Sequence, residues 1–224
     1  ARIARYRLLF QKSEKSRISN ILVGHHQDDL FENFFIRMTR GSGLKGLISF
    51  DKKTKIEDKN ILRPLLDQKK SDLVFISKFV FNFYVNDPTN NIEKYQRIKI
   101  RKFLNLLQKN GLDNNKFSKT IQNLKRSNYV VDFYVNKNIK KNSFYSNRSN
   151  KLFLKKNFFQ QPYEIVFRSL SESLRFIGKK YYSARGKKLD RLINNFENNH
   201  PLKVTLGGCI IEKINQTVII SEEN

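Results

Sequence analysis

The chain has 224 residues, and 44 Lys or Arg against 20 Asp or Glu leave a formal net charge of +24. That excess goes beyond what solubility asks and favours a polyanionic partner, although abundant Lys, Asn, Ile and Phe ascribe part of it to general composition. A single cysteine, Cys209, excludes an internal disulfide framework and fits a reducing cytoplasm. The most apolar window, Leu73 to Val85, is interrupted by Lys78 and is shorter than the roughly 18 residues of a membrane span, so no membrane partner is expected.

From Ala1 to Phe10 the chain reads as a basic helix already under way. Ile21, Leu22 and Val23 then make a short buried strand ended by Gly24. Phe31, Phe34, Phe35 and Met38 follow at i, i+3, i+4 and i+7, which predicts one core-facing helical stripe. At about 100° per residue, Asp29, Asn33 and Arg40 share another face, and Asp28 and Glu32 line the rim beside it. An open α/β sheet binds its ligands at the carboxyl ends of the strands. His25, His26, Asp28 and Asp29 would therefore sit at the mouth of the cleft. Arg40-Gly41-Ser42-Gly43 has the make-up of a helix C-cap, and Arg63-Pro64 that of a strand end. The alternation of helix and strand up to Val85, with Leu73 to Val85 as a buried helix, suits a parallel sheet covered by helices. The turn chemistry of Asn86-Asp87-Pro88-Thr89-Asn90 marks a domain boundary at residue 88.

Beyond that boundary, Ile100, Phe103, Leu104 and Leu107 have helical spacing, with Lys94, Arg97 and Arg101 on a separate basic face. Ile121, Leu124, Val131 and Val135 continue in helical register, and a Lys- and Asn-rich stretch from Lys137 to Lys156 reads as looped. Within and after it, Phe144, Tyr145, Phe153, Phe158 and Phe159 are candidates either for stacking on bases or, more simply, for a small core. Val166, Leu170, Leu174 and Ile177 predict an amphipathic helix ending at Gly178, and Leu189, Leu192, Ile193 and Phe196 another. From Leu202 the pattern turns to short β runs, Val204 to Leu206, Cys209 to Ile211 and Val218 to Ile220, a hairpin or small sheet. The expected domains are thus 1–88, 89–200 (helical) and 201–224 (the start of a β-rich segment).

The segment from His25 to Leu47 resembles a known family, the tRNA(Ile)-lysidine synthases of the N-type ATP pyrophosphatase superfamily. His25, His26, Asp28, Asp29 and Glu32 match its His-His-x-Asp-Asp-x-x-Glu-Thr motif, with Asn33 in place of the Thr. Arg40, Gly41, Ser42, Gly43, Leu44, Gly46 and Leu47 match the segment that follows. The likeness extends through Arg63-Pro64-Leu65-Leu66, Asn86 to Asn90, the pair Arg97 and Arg101, and Thr205 to Cys209. Ile98 stands where the family often has Asn, and 110–160 carries no matching motif. The family's Ser-Gly-Gly-x-Asp-Ser phosphate loop does not occur in these residues, so the chain is expected to be a fragment lacking that loop and inactive on its own.

The resemblance implies the rear half of a Rossmann-like nucleotide domain followed by a helical, tRNA-contacting domain. It implies a ligase that uses ATP to adenylate the C2 oxygen of the wobble cytidine in CAU-anticodon tRNA(Ile). The ε-amine of free L-lysine then displaces AMP. On that resemblance His25, His26, Glu32, Arg40 and Gly41 are candidates to bind ATP, and Asp28, Asp29, Arg97 and Arg101 to serve catalysis. Asp28 and Asp29 are candidate Mg²⁺ ligands, and Lys94, Arg97 and Arg101 candidate tRNA contacts; a homodimer stays open. Chemically, Mg²⁺ needs oxygen ligands, which the acidic cluster supplies, and the leaving phosphate needs cations. The plain structural alternative for the Asp pair is helix N-capping. Two other functions compete: a non-catalytic basic tRNA-binding protein, and a metal-dependent hydrolase, which would need further ligands than the sequence offers.

Overall fold

A computed structural model describes residues 2–56, 58–85, 96–180, 186–197 and 202–223. The chain divides into two compact units, 1–125 and 126–224, and the division falls inside one long helix. The boundaries expected at 88 and 200, the turn from Asn86 to Asn90, and Lys94 all lie outside the described residues.

The first unit runs α1 (Arg2–Lys15), β1 (Asn20–Leu22), α2 (Gln27–Met38), α3 (Leu44–Leu47), β2 (Lys53–Ile56), β3 (Lys59–Leu62), α4 (Lys70–Phe81), α5 (Gln96–Lys109) and the first part of α6 (Asn114–Asn142). Its sheet has the order β1-β3-β2. β1 pairs in parallel with β3 through Ile21 and Ile61, and β2 adds an antiparallel edge that periodicity alone does not announce. The parallel pair sets the carboxyl end of β1 directly before α2, as a nucleotide-type α/β sheet requires.

The predicted stripe of α2 is buried at Phe31, Phe34 and Phe35. All three rings meet Phe117 of α6, at centroid distances of 4.7, 5.2 and 5.4 Å. Burying each ring contributes about 2 kcal/mol, so this cluster, joined by Leu30, Phe50, Ile100 and Leu104, anchors α2. Met38, expected in the same stripe, is exposed, because the last turn of α2 runs past the cluster. A larger departure concerns α4. No residue of this helix is buried, and Phe75, Phe79, Phe81 and Phe83 are all more than half exposed. Hydrophobicity states what a face prefers, and nothing among the described residues covers this one. It is still no membrane span, since no described helix is long and apolar enough to cross a membrane.

The second unit holds the rest of α6, then β4 (Ser143–Ser146), β5 (Lys151–Leu154), α7 (Lys156–Phe159), α8 (Tyr163–Ile177), α9 (Gly186–Glu197), β6 (Leu202–Leu206), β7 (Cys209–Ile214) and β8 (Thr217–Glu222). The strands form one antiparallel sheet, β4-β5-β8-β7-β6. The amphipathic helices are where the spacing puts them: Val166, Leu170, Leu174 and Ile177 of α8, and Leu189, Leu192, Ile193 and Phe196 of α9, are buried. The stretch read as a loop, Lys137 to Lys156, is instead the end of α6 and the hairpin β4–β5. Four-residue strands rich in Lys, Ser and Phe give no usable alternation, and β5 is fixed from afar, with Leu152 opposite Ile220. Phe158 is fully buried in this core, whereas Phe144 stays exposed against Phe153.

Candidate active site

β1 hands over to α2 through Gly24, His25 and His26. The backbone N–H of His26 donates to Asp29 Oδ2 at 3.1 Å, and His26 Nε2 lies 3.4 Å from the same oxygen. Asp29 thus closes the first turn of α2 in the manner of a capping box, where a carboxylate satisfies a free N–H and faces the positive end of the helix dipole. Asp28, one position earlier, does not share that bond and lines a cavity of about 220 Å³ together with His26, Glu32, Lys70 and Arg101. His25 packs edge-on against Phe50, with centroids 5.1 Å apart.

Glu32, expected at the rim, is only 2% exposed. One helical turn after Asp28, it points between α2 and α5, where the Nε–H of Arg101 donates to its Oε1. Burial pushes the Glu32 carboxyl above its usual range; the Arg101 hydrogen bond and charge pull it back down without overcoming that rise. Burial lowers the Arg101 guanidinium, yet the bond to Glu32, with the charges of Glu32, Asp29 and Asp28, takes it above its ordinary value. The guanidinium itself stays protonated, and it limits the rise of the Glu32 carboxyl without cancelling it. Glu32 Oε2 is buried without a hydrogen-bond partner, which leaves one acceptor of the pair unsatisfied.

Arg97 and Arg101 are four apart on α5 but serve different cavities. Arg101 is held beside Asp28, whereas Arg97 is exposed and lines a second cavity with Asn33, Arg37, Arg40 and Gln96. There Arg40 donates to Gln96 Oε1 at 3.0 Å, and Arg37 Nε donates to Asn33 Oδ1 at 2.8 Å. Arg40 reaches this cavity because α2 ends in a Schellman pattern: Ser42 N–H donates to Arg37 O and Gly41 N–H to Met38 O, both at 3.0 Å. Gly41 takes φ +69°, a left-handed conformation that glycine adopts without strain. The C-cap reading of this segment is therefore realised, with Gly41 exposed on the turn. Arg63 has a framework place. It is buried over the Phe50 ring at 4.4 Å and donates to Asp51 O and Thr54 Oγ1.

Three cavity residues carry no motif. Lys70 begins α4, and Asn105 and Gln108 extend the Arg101 face of α5 at i+4 and i+7. The α5 pair could have been found by carrying the helical period on from Arg101. Lys70 could not, since only the fold brings it there. Among the described residues no group of three or more His, Cys, Asp or Glu is placed to hold a metal. Mg²⁺ commonly takes one or two carboxylates and completes its shell with water and phosphate oxygens, so Asp28 alone fits such a role better than a closed protein cage does.

A short sheet with a parallel β1–β3 pair, a helix whose acidic N-terminus follows the first strand, and Arg101 set beside that terminus define a nucleotide-type α/β domain. Residues 1–108 match the family model described as a PP-loop domain. Over its full length the chain is related to proteins named tRNA(Ile)-lysidine synthase. The relative from Wolbachia pipientis wMel is 29% identical over 231 residues, covering 100% of this chain and 52% of its own length. That from Orientia tsutsugamushi is 31% identical over 234 residues with the same coverage, and that from Bradyrhizobium diazoefficiens 35% identical over 132 residues, covering 59% of this chain and 37% of its own length. The chain spans about half the length of the first relatives it matches.

Proposed function

We propose that these residues belong to a ligase that uses ATP to activate the wobble cytidine of CAU-anticodon tRNA(Ile) and joins it to the ε-amine of free L-lysine, releasing pyrophosphate and AMP. The observation that carries the reading is the Asp28, Glu32 and Arg101 constellation at the end of a parallel strand, in a chain related to synthases of that name. Such chemistry needs little covalent help from the protein. It needs the α-phosphate and the cytidine oxygen brought together, and cations where negative charge gathers on the departing group.

In this reading Arg101, fixed by Glu32, faces the reacting phosphate from one side, and Arg40 and Arg97 hold RNA or nucleotide phosphate in the neighbouring cavity. His26 and His25 flank the strand end where the nucleotide enters. Asp28 is the carboxylate that would hold Mg²⁺, which when bound neutralises phosphate charge; Asp29 orders the first turn that presents Asp28. Lys94 remains a tRNA contact of this proposal. The test is lysine- and ATP-dependent modification of a CAU-anticodon tRNA(Ile) transcript by the whole protein that carries these residues, read by mass spectrometry of the wobble nucleoside. Asp28→Ala should abolish product. Normal turnover in that variant would remove the cavity from the chemistry, and tRNA binding with no modification under any condition would favour a non-catalytic binder.

A further inference from the structure

The long helix α6 has apolar residues on two sides. Its inner side in the second unit buries Val135 and Asn138, the latter donating to Phe158 O and Ser169 Oγ. The opposite side, at 129, 133 and 137, has helical spacing of its own and faces solvent. Tyr129 is 74% exposed, Phe133 55% and Tyr134 49%, and the last two rings meet edge to face at 5.4 Å. Lys137 Nζ lies 5.8 Å over the Tyr134 ring. Lys140 and Lys141 extend the same open hollow, which Tyr129 and Phe133 begin. Asp132 is the one acidic residue between 126 and 142, and its charge is already met: Asn128 donates to one oxygen at 2.7 Å and Arg168 to the other at 3.2 Å.

Exposed rings in a row mark an interaction face. The lysines say which kind. Protein interfaces deplete lysine at their centres, whereas surfaces that hold unpaired nucleic acid join a basic track to rings on which bases stack. Tyr129 and Phe133 are one turn apart, about 6 Å along the axis, which admits separately stacked bases but no continuous duplex stack. We infer that this face of α6 is a platform for unpaired nucleotides of an RNA, with bases on Tyr129 and Phe133 and phosphates on Lys137, Lys140 and Lys141. The inference rests on the tRNA reading for the identity of the polyanion and adds where unpaired residues of that RNA lie.

Binding of a labelled oligouridylate and of an RNA duplex of equal length, measured by fluorescence anisotropy over a range of salt, tests it without reference to lysidine formation. Tyr129→Ala with Phe133→Ala should weaken oligouridylate binding roughly tenfold or more and leave its salt slope in place. Lys137→Gln, Lys140→Gln and Lys141→Gln together should reduce that slope by about 2. The chain contains no tryptophan, so Tyr129→Trp supplies a single reporter, expected to keep affinity and be quenched by the oligonucleotide. All these side chains are exposed, and circular dichroism confirms that the variants fold. Unchanged affinity in the aromatic pair, no quenching of the tryptophan, or equal weakening of duplex and single strand would overturn the platform. Loss of ligase activity with intact oligouridylate binding would instead count against the proposed reaction alone.

Discussion

Arg101 on α5 donates to Glu32 on α2 across 69 positions of sequence, and the carboxylate it meets is nearly sealed from solvent. Arg97, one turn away, is exposed and lines a different cavity. Two arginines that look alike in sequence should therefore fail differently when changed. Arg101→Ala leaves Glu32 buried without its cation and should lower unfolding free energy by about 2 kcal/mol. It should appear as a lower urea midpoint at unchanged slope. Arg97→Ala should leave the midpoint in place and weaken RNA binding with a shallower salt dependence. Equal midpoints for the two variants would dismiss the ion pair as a fastening between α2 and α5.

Protonation of Glu32 supplies a second test. Burial holds its carboxyl above the ordinary 4.5, so the folded chain binds that proton more readily than the unfolded one. A group raised by folding favours the native state below its unfolded value, and the contribution fades as pH climbs through the folded value. Wild type minus Glu32→Gln, taken as a difference in unfolding free energy, should grow as pH falls from 7 toward 4.5. Urea titrations at several pH values read it directly; a difference that shrinks on acidification would mean that Arg101 outweighs burial.

Glu32 also marks the limit of what the residues disclose by themselves. The helical stripe of α2 at Phe31, Phe34 and Phe35 and the buried faces of α8 and α9 were legible because periodicity alone specifies which side of an element is apolar. Periodicity does not say what lies opposite the polar side. Asp28 and Glu32 are neighbours on one helical face and line one cavity, yet Asp28 is only partly covered and Glu32 is nearly sealed against Arg101, a distinction made by α5 and invisible within α2. The same limit explains Lys70, brought to the cavity by the fold, and the hairpin Ser143 to Leu154, whose register comes from β8. For α4 the error ran the other way: an apolar sequence implied burial that the described residues do not supply.

That face of α4 gives a prediction of its own. Phe75 and Phe79 stack at 6.1 Å with 69% and 78% of their surface exposed. Replacing both by Ser exchanges residues of similar helix propensity at solvated positions. Stability should stay within about 0.5 kcal/mol, while concentration-dependent light scattering should fall. A large drop in the urea midpoint would show that the two rings are covered in solution.

Gly178, read from sequence as the stop of α8, is required for a different reason than helix termination. Its φ of −77° is open to any residue, so no left-handed turn demands glycine here. What demands it is space. A Cβ at this position would lie 2.3 Å from Gly207 O, in the turn between β6 and β7, and 3.0 Å from the sulfur of buried Cys209, whose thiol donates to Leu174 O. Backbone on one side and a fully buried side chain on the other leave little room to give. Gly178→Ala should therefore cost about 1–3 kcal/mol through forced separation of α8 from the strand turn. Gly186→Ala, where the nearest atom is the Phe167 ring edge at 3.9 Å, provides the control and should be neutral or slightly stabilising. If both alanine variants unfold at the wild-type urea concentration, the close approach of α8 to the β6–β7 turn does not exist in solution.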